Sequence, residues 1–195
     1  MKAFQTLREN KDTIASIDPY REYFVKTPDK SITLGIQMKQ MMGAGSGMHM
    51  MHGGSAMSDT MMNMGEVEKI EWEDDMDMMN ANSTKDTLVW QMKDNKTGNI
   101  NEDIDWNFAV GDKVKIKIFN DPKSLHPMQH PIHFHGQRFL VLSTNGVPNN
   151  NLVWKDTTLI QTGDTVEVLV DMTNPGRWMA HCHISEHLEA GMMLE

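Results

Sequence analysis

Short runs of alternating apolar and polar residues, turn signals at regular intervals and little helical periodicity predict an all-β fold, a sandwich or a barrel. The first such run is KSITLGIQM, where Ile32, Leu34, Ile36 and Met38 fall on one side of a strand. KIEWE and DTLVWQM follow as candidate strands, closed by a turn at DNKTGN. GDKVKIKIF alternates most clearly, with Val114, Ile116 and Ile118 on one face and Lys113, Lys115 and Lys117 on the other, which reads as a solvated face. QRFLVLST, WKDTTLI and DTVEVLVDM obey the same rule, separated by NGVPNNN, TGD and TNPG. Residues 181–190 read as a loop running into a short helix, because His183 and His187 are four apart.

Two stretches fall outside this pattern. Residues 1–30 are polar and without a clear period, and read as a leader or linker that packs loosely. Between Met38 and Met64, glycine and serine punctuate a methionine-rich, low-complexity run, expected to be a mobile loop or short helical pieces. The acidic run EWEDDMDMM reads as a solvated edge.

The chain has 195 residues, enough for one domain with an appendage. Its net charge of −9 disfavours a phosphate backbone as partner, so no nucleic acid is expected. A single cysteine forbids an internal disulfide, leaving stability to the core. The first twenty residues have no apolar run of the signal-peptide type, and no stretch approaches the roughly 20 apolar residues that span a bilayer. The chain as written is therefore expected to be cytoplasmic and free of membrane.

Histidine is the informative residue. Seven of the nine lie between 126 and 187, in HPMQHPIHFHG and HCHISEHLEAGMM. Residues two apart on a strand share a face, so His133 with His135, and His181 with His183, each aim two imidazoles into one space. Cys182 lies between its histidines and points away from them. His130, three before His133, is expected to be offset by a kink at Pro131. Two sites result: one of four imidazoles, the other of Cys182 with His130, His187 and a nearby thioether. A thiolate, two imidazoles and a long axial methionine form the trigonal blue-copper environment used for electron transfer. Met192 is the better axial candidate because it keeps a five-residue step from His187, and Met193 is expected to pack into the core. A buried structural thiol and a Cys/His nucleophile are the competing readings of Cys182, and zinc or a vacant half-site that of the His-x-His pairs. His126 reads as a loop residue, and Asp156 and Glu186 as surface carboxylates with an option to orient imidazoles.

The motifs HPIHFHG and HCHISEHLEAGM resemble the two C-terminal copper motifs of multicopper oxidases of the laccase-like group, and NGVPNNNLVWKDTTLI and NPGRWMAHCH are similar to the same domain. The resemblance implies a cupredoxin-like Greek-key β-sandwich over residues 31–195, with a Met-rich insertion at about 38–65 and copper as cofactor. It implies that His130, Cys182, His187 and Met192 bind a type 1 copper, with Cys182, His130 and His187 serving catalysis. By the same resemblance His133 serves a type 2 copper, and His135, His181 and His183 a type 3 pair. Enzymes of this family draw half of the trinuclear-cluster histidines from an N-terminal domain, so this chain resembles a truncated laccase-like protein with half of that set. The implied function is a copper-dependent oxidoreductase that takes single electrons from a phenol or aromatic amine and passes them through Cys182 toward dioxygen. Two copies meeting face to face, a homo-oligomer, would complete the half-site. The alternatives are a mononuclear blue-copper electron carrier, or copper-binding module, without oxygen reduction, and a Cu(I) oxidase drawing on the Met-rich loop, since soft thioethers prefer Cu(I).

Overall fold

A computed structural model describes residues 11–39, 69–71 and 86–195. The Met-rich segment, apart from Met38 and Lys39, and the acidic run beyond Glu71 lie outside the described residues, as do His49 and His52. The expected insertion and its Cu(I) role therefore lie there too.

Eleven strands are found among the described residues. They are β1 (Lys30–Met38), β2 (Leu88–Asp94), β3 (Lys113–Asn120), β4 (His130–Phe134), β5 (Arg138–Thr144), β6 (Val147–Pro148), β7 (Trp154–Lys155), β8 (Thr157–Ile160), β9 (Thr165–Asp171), β10 (Ala180–Cys182) and β11 (Met193–Leu194). One sheet runs β2-β1-β3-β9-β5-β6, with β7 also on β5; the other runs β11-β10-β4-β8. Pairing is antiparallel except for β1 against β3. The inner faces meet in a single core: Ile32, Leu34, Ile116, Ile118 and Val168 from the first sheet pack with Ile132, Ile160, Cys182 and Leu194 from the second. The all-β expectation holds, as a cupredoxin-like Greek-key β-sandwich. None of the described helices is long and apolar enough to cross a membrane.

Alternation places most of the expected residues. In β3, Val114, Ile116 and Ile118 are buried, and in β1 Ile32, Leu34 and Ile36 are. Met38 does not follow them: it is 64% exposed at the end of β1. KIEWE is not a strand in its described part; residues 69–71 are an irregular strap, in which the Lys69 carbonyl accepts from the Thr162 amide.

The lysine face of β3 and the N-terminal segment depart from expectation together. A helix, α1 (Lys11–Ile17), and a following 3-10 turn over Asp18–Tyr23 lie against the outer face of the first sheet. Ile17 is buried with Leu140, Leu142 and Leu169, and Tyr20, Tyr23, Phe24, Leu152 and Trp154 pack around them. Full burial of Ile17 contributes about 1.5–3 kcal/mol over an exposed side chain. From residue 11 onward the segment is thus packed, not loose. It also covers Lys115, only 5% exposed, whose ammonium donates to the carbonyls of Phe24 and Lys26 and pairs with Glu167. Lys113 pairs with buried Asp171, which also accepts from Tyr20 and Arg138. Of the three lysines only Lys117 is the solvated residue that the alternation suggested. Apolar side chains on the outward positions of β5 and β9 hold this second layer, and the lysine pattern of β3 gave no sign of it.

Candidate metal centre

The two histidine motifs are neighbours because β4 and β10 are paired, with His181 opposite His133 and Cys182 opposite Ile132. On β4 the burial alternates, with His130, Ile132 and Phe134 inward. His130 therefore faces the core by simple parity: it is an odd number of residues from His133, and β4 runs through Pro131 as regular strand. The expected kink is not what separates it.

Inside the sandwich, His130, Cys182 and His187 converge, all buried. Their donor atoms form a triangle: His130 Nδ1 to His187 Nδ1 is 3.2 Å, Cys182 Sγ to His187 Nδ1 3.5 Å, and Cys182 Sγ to His130 Nδ1 3.8 Å. The centre of such a triangle is roughly 2 Å from each corner, the length of a metal–imidazole or metal–thiolate bond. His187 comes from the short helix α2 (Ser185–Glu189), where the sequence placed one. Met192 follows, wholly buried, and its backbone ties the set together: its amide donates to the His187 carbonyl and its carbonyl accepts from the Cys182 amide. Met193, expected in the core, is instead half-buried on β11 opposite His181.

Burial sets the protonation of this site. It lowers the His130 imidazole well below its usual value, with His187 and His126 adding like-charge repulsion. Burial likewise lowers His187 to about 3, helped by His126, and raises the Cys182 thiol to about 12, against a backbone hydrogen bond at Ile184. Neutral imidazoles are ready ligands, and a thiolate this deep requires a cation to balance it. One soft sulfur and two imidazole nitrogens in a dry pocket fit copper by donor chemistry.

The second cluster lies on the other side of β10. His135 Nε2 and His181 Nε2 are 3.0 Å apart, and the donors of His133, His135 and His181 all lie within 4.8 Å. His183 stands beside this trio, its ring 5.5 Å from those of His133 and His181, and is exposed. Three contacts fix which nitrogens of His133 and His181 face the cluster. His133 Nδ1 bonds to the Thr157 hydroxyl at 2.8 Å and the Asp156 carbonyl at 3.1 Å, and His181 Nδ1 donates to the Cys182 carbonyl at 2.8 Å. Each leaves Nε2 free to bind. Thr157 in turn donates to the Asp156 carboxylate, so Asp156, although exposed, holds His133 through Thr157. Glu186 is an exposed residue at the start of α2. The glycine of HFHG has a structural reason: its φ is +63°, and a Cβ there would lie 2.4–2.6 Å from the Trp178 indole.

Sequence reasoning missed Trp90. Its indole, 2% exposed, stacks on His187 with ring centroids 3.6 Å apart and 21° between planes, and meets His130 edge-on at 5.4 Å. In the sequence it is one residue of the candidate strand DTLVWQM, with nothing to link it to the histidines. His126, read as a loop residue, meets the same indole in a T-shaped contact at 6.2 Å between ring centroids, with its Nε2 3.7 Å from the Glu71 carboxylate. His130 and His187 themselves are only 1% and 3% exposed, so neither offers an open edge to a substrate.

Comparison with known proteins bears on the family of the chain. Residues 57–195 match the family described as multicopper oxidase. A multicopper oxidase of Staphylococcus haemolyticus is 36% identical over 52% of this chain and 24% of its own length. A laccase of Phlebia radiata is 46% identical over 32% of this chain and 13% of its own. Among solved structures, a multicopper oxidase of Pediococcus acidilactici is similar at 32% identity and a TM-score of 0.45, covering 53% of this chain and 23% of that one. The chain spans about a quarter or less of the length of the curated relatives it matches. A buried Cys/His/His triangle backed by a cluster of imidazoles, on a sequence that matches over most of its length, leads to one assignment: the chain belongs to the multicopper oxidase family.

Proposed function

We propose that the chain is the electron-accepting part of a copper-dependent, laccase-like oxidoreductase. His130, Cys182, His187 and Met192 would hold a type 1 copper, and His133, His135, His181 and His183 half of a type 2/3 site. Copper in the buried set supplies one-electron redox chemistry, and the donors are small reducing molecules such as phenols or aromatic amines, with dioxygen as the final acceptor. The observation that carries this reading is the junction at β10. Cys182 belongs to the buried triangle while its carbonyl accepts from His181 of the open cluster, so the peptide and that hydrogen bond connect the two sites. The residues do the remaining work. Burial excludes water and keeps His130 and His187 neutral, and Thr157 and Asp156 hold His133 with a free nitrogen toward the cluster.

Absorption and spin-resonance spectra with metal analysis test the copper reading, and oxygen uptake with a phenolic donor tests turnover. An intense thiolate–copper band together with oxygen consumption is the expected result. Three converging imidazoles with His183 outside favour a second reading, a blue-copper electron-transfer module that does not reduce oxygen. That reading predicts the blue band without oxygen uptake. Two copies facing each other through the open cluster would complete it, and a strictly monomeric, oxygen-consuming chain would rule that assembly out.

A further inference from the structure

We propose that electrons enter the buried centre through a ladder of three rings, His126–Trp90–His187, with the donor docking at the His126–Glu71 rim. This rests on the copper reading of the His130–Cys182–His187 set. None of those residues offers an edge to a donor: His130 is 1%, Cys182 0% and His187 3% exposed, and Met192 is 0%. A donor outside must therefore couple through some other group. Among the described residues, Trp90 is the one aromatic side chain outside the ligand set in ring contact with either ligand imidazole, stacked on His187 at 3.6 Å and edge-on to His130 at 5.4 Å. The indole also meets His126 in a T-shaped contact, with ring centroids 6.2 Å apart, and His126 keeps 16% of its side chain exposed beside Glu71, which keeps 26%.

The ladder is rigid. The Asn101 side chain donates to the Trp90 carbonyl and accepts from the Met92 amide, and the Trp90 amide donates to the Ala190 carbonyl. The rim is built as well. The Glu71 amide donates to the Gln129 side chain, whose amide donates back to the Glu71 carbonyl, holding the strap beside the loop that leads into His130. The Trp90 indole N–H has no acceptor although it is buried. A phenylalanine would leave no orphan donor here, so packing alone does not explain the larger indole. A π-system across the gap does, because tunnelling falls off exponentially with distance through empty or saturated space.

The electron balance is simple. The donor loses one electron, cupric ion at the buried set gains it and becomes cuprous, and a phenolic donor releases its proton to water. The indole stays closed-shell throughout.

The test is anaerobic mixing of the cupric-loaded chain with hexacyanoferrate(II) and with a hydroquinone, following the bleaching of the thiolate–copper band. Trp90→Leu is expected to slow bleaching about tenfold at matched driving force, with Trp90→Phe in between, while the band and the spin-resonance spectrum keep the wild-type form; the reduction potential, which the hydrophobic cover tunes, is measured for each variant and its effect on the rate subtracted. An unchanged rate in a Trp90→Leu chain that keeps its colour overturns the ladder and leaves the copper reading standing. If Trp90→Leu does not assemble the centre, Trp90→Phe and His126→Leu decide: slower bleaching in both supports the ladder, and wild-type rates in either overturn it. A wild-type chain that shows no colour with cupric ion overturns both readings.

Discussion

The two histidine clusters stand back to back across β4 and β10, the inner one completed by His187 of α2, and they differ in almost every physical respect. The inner one is sealed: a thiol and two imidazoles, all buried, at the corners of a triangle roofed by Trp90. The outer one is open: His183 is exposed, His133 keeps 19% of its side chain in solvent, and its bracing comes from Thr157 and the Asp156 backbone beneath. Parity alone assigns histidines to one side or the other. Completeness depends on what covers each side, and the described residues fully cover only the inner one.

The comparison breaks most sharply at Cys182. In Cys182→Ser the inner site loses its only thiolate, and copper affinity there is expected to fall by more than about a hundredfold, beyond the effect of losing a supporting residue. Copper titration with absorption detection reads this as loss of the blue band, while binding at the four outer imidazoles persists. If both sites fail together, they are not separate. The next effect is of acid on the metal-free chain. His187 is held neutral by burial, at about 3 against its ordinary value of 6.5, so the unfolded chain binds more protons in between. His130 is shifted the same way. Stability is therefore full above about pH 6.5 and is lost as the pH falls toward 3, a loss that melting curves at several pH values will show and that bound copper should oppose. A melting temperature that does not fall over that window would mean that the inner imidazoles are not buried.

Smaller effects probe the outer side. Gly136→Ala places a Cβ against Trp178 at positive φ and is expected to cost about 1–3 kcal/mol in denaturant unfolding, with the inner site's spectrum intact. Thr157→Val removes the hydroxyl that holds His133 and is expected to weaken metal binding at the outer cluster about tenfold, read by competition with a chelator. A loss of inner-site colour in Thr157→Val would show that the two clusters are more tightly coupled than their separate supports suggest.

Much of this was legible in the sequence. Alternation in β3, β4 and β9 marked the inward faces, and the spacing of His181, Cys182 and His183 sorted them between two clusters. Local rules fail where a face is covered by chain from elsewhere. Lys115 looked solvated because β3 alternates, yet residues 24–26 supply carbonyls that bury it. Ile17, Tyr20, Tyr23 and Phe24 looked like a linker because their partners, Leu140, Leu142 and Leu169, are more than a hundred residues away. Trp90 looked like one more core residue because nothing in β2 says that α2 will place an imidazole on it.

By itself, then, the sequence determined the all-β class, the sorting of Cys182 and the histidines between two clusters, and the family. All three rest on short-range periodicity or on motifs that contain their own geometry. Tertiary structure alone decided that the inner ligands are sealed from solvent, that an indole roofs them, and that the N-terminal segment is part of the sandwich. These are facts about which distant surfaces meet. They follow from the burial of apolar area across the whole chain, a sum that no local pattern carries.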